Sequence, residues 1–269
     1  MVRSLSAMDR LYLGLATLFF AGGFIYALAC LRAGTYRHST WNFAAMLSGL
    51  VFQTLFLYER GQVHGRCPVT NGVEILMFVA WSMVLIYLLV GRNYRLSLMG
   101  VFTSPLVFLT CVMALVFPLD LESAIAAAQA KGRADAWVEF HVGISLLAYG
   151  AFGMSFIAGL MFLIQERQVR KGNLKILFYN LPPMQNLCSA VLRLLVVGTI
   201  LLTAGIASAH VISVVGDQHP IWPLYLIWVV YSGLCTVTFF RGLSPRRLAI
   251  GAIGAFLFSL ASLWLIAAN

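Results

Sequence analysis

Histidines are the residues in this sequence best suited to bind a metal. His210 and His219 lie in the stretch SAHVISVVGDQHPIWP between two long apolar runs, and His141 begins another apolar run. An imidazole in or near hydrocarbon is costly unless it is hydrogen-bonded, bound to a metal or facing water. Two imidazoles from facing helices can hold a haem iron from opposite sides. We therefore take these three histidines as candidate metal ligands.

Zinc is the alternative metal for such a cluster. Typical zinc sites need a third or fourth ligand, and His64 and Cys67, in the stretch HGRC, are available to supply one. The chain has no HExxH motif, no paired CxxC and no CxxCH for covalent haem attachment. The five cysteines also show no paired spacing that would indicate a disulfide framework. Non-covalent haem is therefore the favoured cofactor.

The elements that position these histidines must be membrane-spanning helices. The 269 residues are 61% hydrophobic and 10% charged, with a mean hydropathy of +0.90. This composition gives more apolar surface than a water-soluble domain can bury. Several apolar runs reach the roughly 20 residues that a helix needs to cross a bilayer. We predict an all-α, polytopic transmembrane bundle that forms one domain over residues 1–269. Its eight spans lie near 9–31, 40–58, 72–90, 96–118, 138–164, 187–214, 221–240 and 247–267.

The distribution of basic residues predicts the orientation. The side of the N-terminus carries six Lys and Arg residues and the other side eleven. The positive-inside rule then places both termini outside the cell, in a multi-pass protein of the bacterial cytoplasmic membrane. His64, His141, His210 and His219 fall at the outer face and His38 at the inner one. The net charge of +9 reflects this cytoplasmic excess and the anionic lipid beside it, and it needs no nucleic acid.

Helical periodicity predicts which residues share a face with the histidines. From His141 the face continues through Ser145, Ala148 or Tyr149, and Phe152; from His210 it runs back through Ile206, Thr203 and Thr199. The small residues of AGIASAH, 204–210, allow close approach of another helix or of a flat ligand, and helix packing is the simpler interpretation. Tyr149, Trp222 and Trp228 are candidates to stack on a macrocycle, with core packing and an aromatic girdle as alternatives.

Two charged residues fall within the predicted spans. Glu74 lies near the outer end of the third span and Arg193 near the inner end of the sixth. Charges inside a membrane are functional candidates by default. Both lie close to helix ends, however, where interfacial solvation or snorkelling accounts for them.

Three segments, in order, resemble the cytochrome c assembly membrane proteins of the CcsA/HemX type. RCPVTNGVEILMFVAW, 66–81, resembles the start of that family's core, and HVGISLLAYGAFGMSFIAGLMFLIQERQVRKG, 141–172, resembles its long helix. LPPMQNL, 181–187, with Arg193 and LLTAGI after it, resembles the next segment. The similarity covers about 66–231. Where the best-known members have a tryptophan-rich WWD segment, this chain has VISVVGDQHPIWPLYLIW, which is closer to the HemX-like branch that lacks it.

The resemblance implies a haem-binding protein in which His141 helps to ligate haem at the extracytoplasmic face. The second axial ligand stays open between His210 and His219. The leading hypothesis is a non-enzymatic protein that holds or relays haem for cytochrome c assembly, with a ResB-type membrane subunit and apocytochrome c as partners. The alternatives are a HemX-like regulator or adaptor that recruits a tetrapyrrole-synthesis enzyme, and a small-molecule permease, which the lack of internal repeats disfavours.

Overall fold

The fold is a bundle of long α-helices. The computed structural model describes residues 7–33, 40–64, 67, 69, 72–91, 99–116, 136–171, 183–215 and 222–268. Its helices are α1 Ala7–Ala33, α2 Thr40–His64, α3 Gly72–Gly91, α4 Met99–Val116, α5 Ala136–Arg170, α6 Met184–Val215, α7 Trp222–Arg241 and α8 Pro245–Ala268. Each is long and apolar enough to cross a membrane, and no residue within these ranges lies in a β-strand. The predicted all-α bundle with eight spans is confirmed.

The predicted span boundaries differ most from the observed ones where a helix continues beyond its apolar part. Helices α2 and α5 each extend six residues past the predicted ends at 58 and 164. In α5 the extension is stabilised by Glu166 and Arg170, which pair one turn apart on the helix surface. Hydropathy marks the membrane-spanning part of a helix, and it does not mark the polar turns that continue it.

Helix α5 is the central helix of the bundle and packs against α3, α4, α6 and α8. In its most apolar window 72% of the residues are buried, against 22–50% in the other spans. The pairing with α6 is the most extensive in the bundle. It is close because the Phe152 ring lies on Gly198, where a Cβ atom would overlap the ring. The same ring stacks on Tyr231 of α7, with centroids 3.5 Å apart and planes 3° from parallel.

The remaining helices complete the bundle around this pair. Helix α1 packs on α2 and α4, and α3 joins that group to α5 by packing on both α4 and α5. Because successive spans run in opposite directions, the starts of α3, α5 and α7 share one end of the bundle with the end of α6. We call this the His141 end, and we call the end that holds the start of α8 the opposite end. The placement of the His141 end and both termini outside the cell stays a prediction.

Candidate functional site

The imidazole of His141 is held by the backbone of a neighbouring helix. His141 lies in the second turn of α5, and its Nδ1 is 2.7 Å from the carbonyl oxygen of Gly205 on α6. Ser208 donates to the same carbonyl at 2.6 Å, and its Oγ is 3.4 Å from Nδ1. A carbonyl oxygen can only accept a hydrogen bond, so Nδ1 carries the proton. In the neutral imidazole the lone pair is then on Nε2, the atom through which such a tautomer binds a metal.

The short contact at His141 depends on the absence of a side chain at Gly205. A Cβ atom there would lie 2.5 Å from Ser145 Oγ and 3.5 Å from Ile144 Cγ2 on α5. The small-residue stretch 204–210 therefore packs helix on helix, as the simpler interpretation held. The predicted α5 face is also confirmed, because His141, Ser145 and Phe152 all contact α6.

His210 uses both of its ring nitrogens in hydrogen bonds. Its Nδ1 is 3.0 Å from the carbonyl oxygen of Ile206 one turn earlier, and its Nε2 is 2.7 Å from the hydroxyl of Tyr225 on α7. The two rings meet edge to face, with centroids 5.9 Å apart. Nδ1 donates to the carbonyl, so Nε2 accepts the tyrosine proton. The lone pair that could bind a metal is thus engaged.

The two threonines of the predicted His210 face also contact α7. Trp228 donates from Nε1 to Thr203 Oγ1 at 2.8 Å, and Thr199 Oγ1 lies 3.8 Å from Cys235 Sγ. At about 100° per residue, Gly205 and His210 point roughly 140° apart around α6. The contacts described for His141 are on the α5 side of α6, whereas those for His210 are with its own helix and α7.

Of the three aromatic residues predicted to stack on a cofactor, Trp228 bonds to Thr203, and Tyr149 and Trp222 lie in different settings. Tyr149 is 1% exposed in the core, about two turns deeper along α5 than His141, and its ring meets Phe152 edge to face at 6.4 Å. Trp222 is the first residue of α7 and is 68% exposed. Of the other histidines, His64 ends α2 with a side chain outside the described set, and His38 and His219 lie outside the described residues.

A buried ion pair at the His141 end corrects the account of Glu74. The carboxylate is fully buried and accepts from Arg60 Nε at 3.1 Å, with Arg60 itself 2% exposed. Interfacial solvation of Glu74 is therefore wrong. Arg60 lies beyond the span end predicted at 58 but within α2, which continues to His64. A charge is retained away from water when it is paired, and removal of one partner is costly. The polar helical continuation YERGQ, 58–62, was the signal that could have found this pair.

Cys67 lies between α2 and α3, close to two carboxylates. Burial, and then the charges of Glu139 and Glu74, raise the pKa of its thiol to about 11. The thiol is therefore protonated at neutral pH, whereas zinc binds the thiolate. Within the described part of the chain, no three His, Cys, Asp or Glu side chains form a group that could hold a metal ion. Glu139 precedes His141 by two residues, so Cys67 lies close enough to the start of α5 for the charge of Glu139 to act on it.

Comparison with known proteins places this arrangement in a family. HemX of Bacillus subtilis (strain 168) is 26% identical over an alignment of 168 residues, which covers 62% of this chain and 59% of that protein. The cytochrome c biogenesis protein CcsA of Prochlorococcus marinus (strain MIT 9303) is 26% identical over 239 residues, covering 77% of this chain and 74% of its own. CcsA of Synechococcus sp. (strain CC9902) is 25% identical over 217 residues, covering 70% and 71%.

The family match itself extends beyond the segments that carry the resemblance. The sequence profile described as "Cytochrome C assembly protein" matches residues 69–267, from the start of α3 through nearly all of α8. This region includes His141, the Gly205 carbonyl that holds it, and the His210–Tyr225 contact. The chain is a multi-pass membrane protein that belongs to the cytochrome c assembly protein family.

Proposed function

We propose that this chain binds haem at its His141 end and holds or relays it for cytochrome c assembly. The observation that carries the proposal is the 2.7 Å contact between His141 Nδ1 and the Gly205 carbonyl. Metal-ligating histidines almost always donate their other ring N–H in this way, because the bond fixes the tautomer and the ring orientation. Imidazole nitrogens are common ligands of haem iron, and His141 Nε2 would supply such a lone pair here.

The contacts of His210 favour His219 as the second axial ligand. His210 Nε2 accepts a hydrogen bond from Tyr225, so ligation by His210 requires that bond to break. In the sequence His219 follows α6 and precedes α7, and the end of α6 and the start of α7 share the His141 end of the bundle. Trp222, exposed at the start of α7, is the better candidate to cover the macrocycle, because Tyr149 is packed in the core.

The proposed partners follow from the family and from the polarity of the chain. We propose that haem is presented to apocytochrome c at the extracytoplasmic face of the bacterial cytoplasmic membrane, together with a ResB-type membrane subunit. The CcsA relatives are named as cytochrome c biogenesis proteins, which supports this assignment. The excess of basic residues at the opposite end supports the orientation.

A HemX-like regulator or adaptor in haem biosynthesis is the second candidate function. The similarity to HemX favours it, as does the basic surface at the opposite end, where Arg167, Arg170 and Lys171 are exposed. In that case triple alanine replacement of these residues abolishes recruitment of a tetrapyrrole-synthesis enzyme and leaves haem binding intact. If the chain is instead a small-molecule permease without haem, colourless protein should support substrate flux in proteoliposomes.

The visible spectrum of detergent-purified protein tests the haem proposal directly. We expect a Soret band in the wild type after reconstitution with haemin, and its loss in His141→Gly. Free imidazole should restore the band in this variant, because it fills the space of the lost side chain and supplies the same lone pair. His210→Ala is the matched control, an imidazole removed from the same end of the bundle, and it should keep the band.

Two results would overturn the haem assignment. One is a wild-type protein that remains colourless with haemin. The other is an unchanged Soret band in His141→Gly protein that elutes as a monodisperse, folded species in size-exclusion chromatography. Loss of the band in His219→Ala and not in His210→Ala would identify the second ligand.

A further inference from the structure

We propose that a cavity at the opposite end of the bundle, between the end of α5 and the start of α8, binds the phosphate of an anionic phospholipid. The cavity encloses about 540 Å³, within the usual size range of small-molecule sites. Its charged lining consists of three arginines and one glutamate: Arg170, Arg246, Arg247 and Glu166. A net charge of +2 in one concave site favours an anion.

Glu166 organises two of the arginines and leaves most of their donors free. It accepts from Arg170 Nε at 3.1 Å and Nη2 at 2.8 Å, while its other oxygen lies 3.6 Å from Arg246 Nε. A guanidinium has five N–H donors in a planar fork that matches two phosphate oxygens. The contact of Arg246 with Glu166 involves Nε, so both terminal nitrogens of Arg246 can donate to a phosphate. Its side chain is 56% exposed. A single carboxylate positions the cationic groups without neutralising them.

The start of α8 adds backbone donors to the same site. Helix α7 ends at Arg241, Gly242 follows with φ of 63°, and α8 begins at Pro245 with Leu248 N–H bonded to the Ser244 carbonyl at 3.0 Å. The first N–H groups of a helix lack carbonyl partners within it and carry a partial positive charge. Ser244 and Pro245 line the cavity together with the arginines. The helix terminus reinforces a site that the guanidinium groups already define.

The cavity is apolar on the side toward the membrane interior, which matches a lipid better than a free anion. Phe162 lies one turn deeper in α5 than Glu166 and is 4% exposed, and Ile250 lies one turn beyond Arg246 in α8. The membrane-spanning part of α8 begins at Pro245 itself, so the arginines lie at the membrane boundary. A phosphate at the arginines would direct its attached glycerol and acyl chains along these apolar residues.

The charge of the whole end favours an anionic rather than a neutral headgroup. The topology predicted from the sequence assigns eleven basic residues and one acidic residue, Glu166, to the opposite end, and six basic and eight acidic residues to the His141 end. The orientation predicted from this asymmetry places the cavity in the cytoplasmic leaflet, where anionic lipids attract basic segments.

Native mass spectrometry of the full chain in detergent, titrated with phosphatidylglycerol or phosphatidylcholine, tests the proposal. Arg246→Gln/Arg247→Gln should weaken phosphatidylglycerol binding at least about tenfold, because both side chains line the cavity and a hydrogen bond to a charged group contributes roughly tenfold. The matched control Arg167→Gln/Arg241→Gln removes the same charge from the same end, outside the cavity, and should change binding less than about twofold, because these side chains make no direct bond to the phosphate and their longer-range attraction is screened by salt. Inorganic phosphate at equal concentration should not displace the lipid.

Glu166→Gln separates ligand binding from a structural role. Loss of the one carboxylate among the described residues that line the cavity should tighten phosphatidylglycerol binding, whereas a purely structural role of Glu166 predicts weaker binding. Equal losses in the two double variants would overturn the site, since the attraction would then be diffuse. Equal binding of phosphatidylcholine, or displacement by inorganic phosphate, would overturn the anionic-lipid assignment.

Discussion

Helix α6 contacts α5 and α7 in different ways, and the histidines on these two sides differ accordingly. On the α5 side the backbones approach closely at Gly205, and a carbonyl of α6 receives the ring of His141. On the α7 side the helices are joined by longer side chains, through the Tyr225–His210 and Trp228–Thr203 hydrogen bonds. A backbone acceptor is fixed by the helix, whereas hydroxyl partners move with their side-chain rotamers.

This difference determines which imidazole is chemically available. Both histidines direct Nδ1 at a backbone carbonyl, so both present Nε2 as the basic nitrogen. For His210 that nitrogen is already bonded to Tyr225. The contacts described for His141 involve Nδ1 and leave Nε2 as the nitrogen proposed to bind a ligand, whereas Nε2 of His210 is already bonded within the protein.

The largest effect is expected where the close approach on the α5 side is disturbed. In Gly205→Ala the new Cβ would lie 2.5 Å from Ser145 Oγ, so the helices must separate or Ser145 must move. Overpacking of this kind costs about 1–3 kcal/mol in the free energy of unfolding. Thermal unfolding in detergent measures the loss, and the Soret absorbance should fall with it because the Gly205 carbonyl no longer positions His141.

The double variant Gly205→Ala/Ser145→Ala shows whether this steric contact is the cause. Ser145→Ala alone should have little effect, because Ser145 Oγ is buried without a hydrogen-bond partner among the described residues. Combined with Gly205→Ala it removes the clashing atom, and the remaining neighbour at 3.5 Å is an ordinary contact. Stability should return to near the wild-type value. If the double variant loses as much unfolding free energy as the two single variants together, the clash with Ser145 Oγ is not the cause.

The sequence predicted the fold well because membrane helices are marked by composition. Eight apolar runs gave eight helices, and periodicity along α5 correctly grouped His141 with Ser145 and Phe152 on the side that meets α6. These features depend only on local hydropathy and helical geometry. The prediction failed at the end of α2, where the hydropathy boundary at 58 leaves Arg60 outside the predicted span. A buried ion pair with Glu74 satisfies the charge there, and hydropathy alone does not report pairing between helices.

The chemical state of each histidine was beyond the sequence for a related reason. Sequence analysis treated His210 and His219 as equal candidates, because nothing local to either reports a hydrogen-bond partner. The engagement of His210 depends on how α7 is rotated and placed along α6, which brings Tyr225 to the ring. Likewise, the Gly205 carbonyl is recognisable as an acceptor for His141 only once the α5–α6 packing is known.

A smaller effect is expected from Thr203→Val, which tests the side-chain contacts on the α7 side. The substitution keeps the shape of the residue and removes the oxygen that accepts from Trp228 Nε1 at 2.8 Å. Hydrogen bonds between membrane helices contribute about 0.6 kcal/mol on average and at most about 1.7 kcal/mol. The unfolding free energy should fall within that range with the Soret band unchanged. A change in the haem spectrum would show that the α7 side takes part in haem binding.

The smallest effect on stability is expected from Tyr225→Phe, which frees Nε2 of His210 without a change of ring packing. The lost hydrogen bond is at the end of the α6 span and should cost about 0.5 kcal/mol. If His219 is the second ligand, haem affinity should match the wild type. If His210 is the ligand instead, it must break the bond to Tyr225 to bind iron, so the variant should bind haem more tightly. A tighter complex that is lost when His210→Ala is added would make His210, and not His219, the favoured second ligand. The hydrogen bond from Tyr225 would then compete with iron for Nε2 of His210, and the difference between the two sides of α6 would be one of regulation of a ligand.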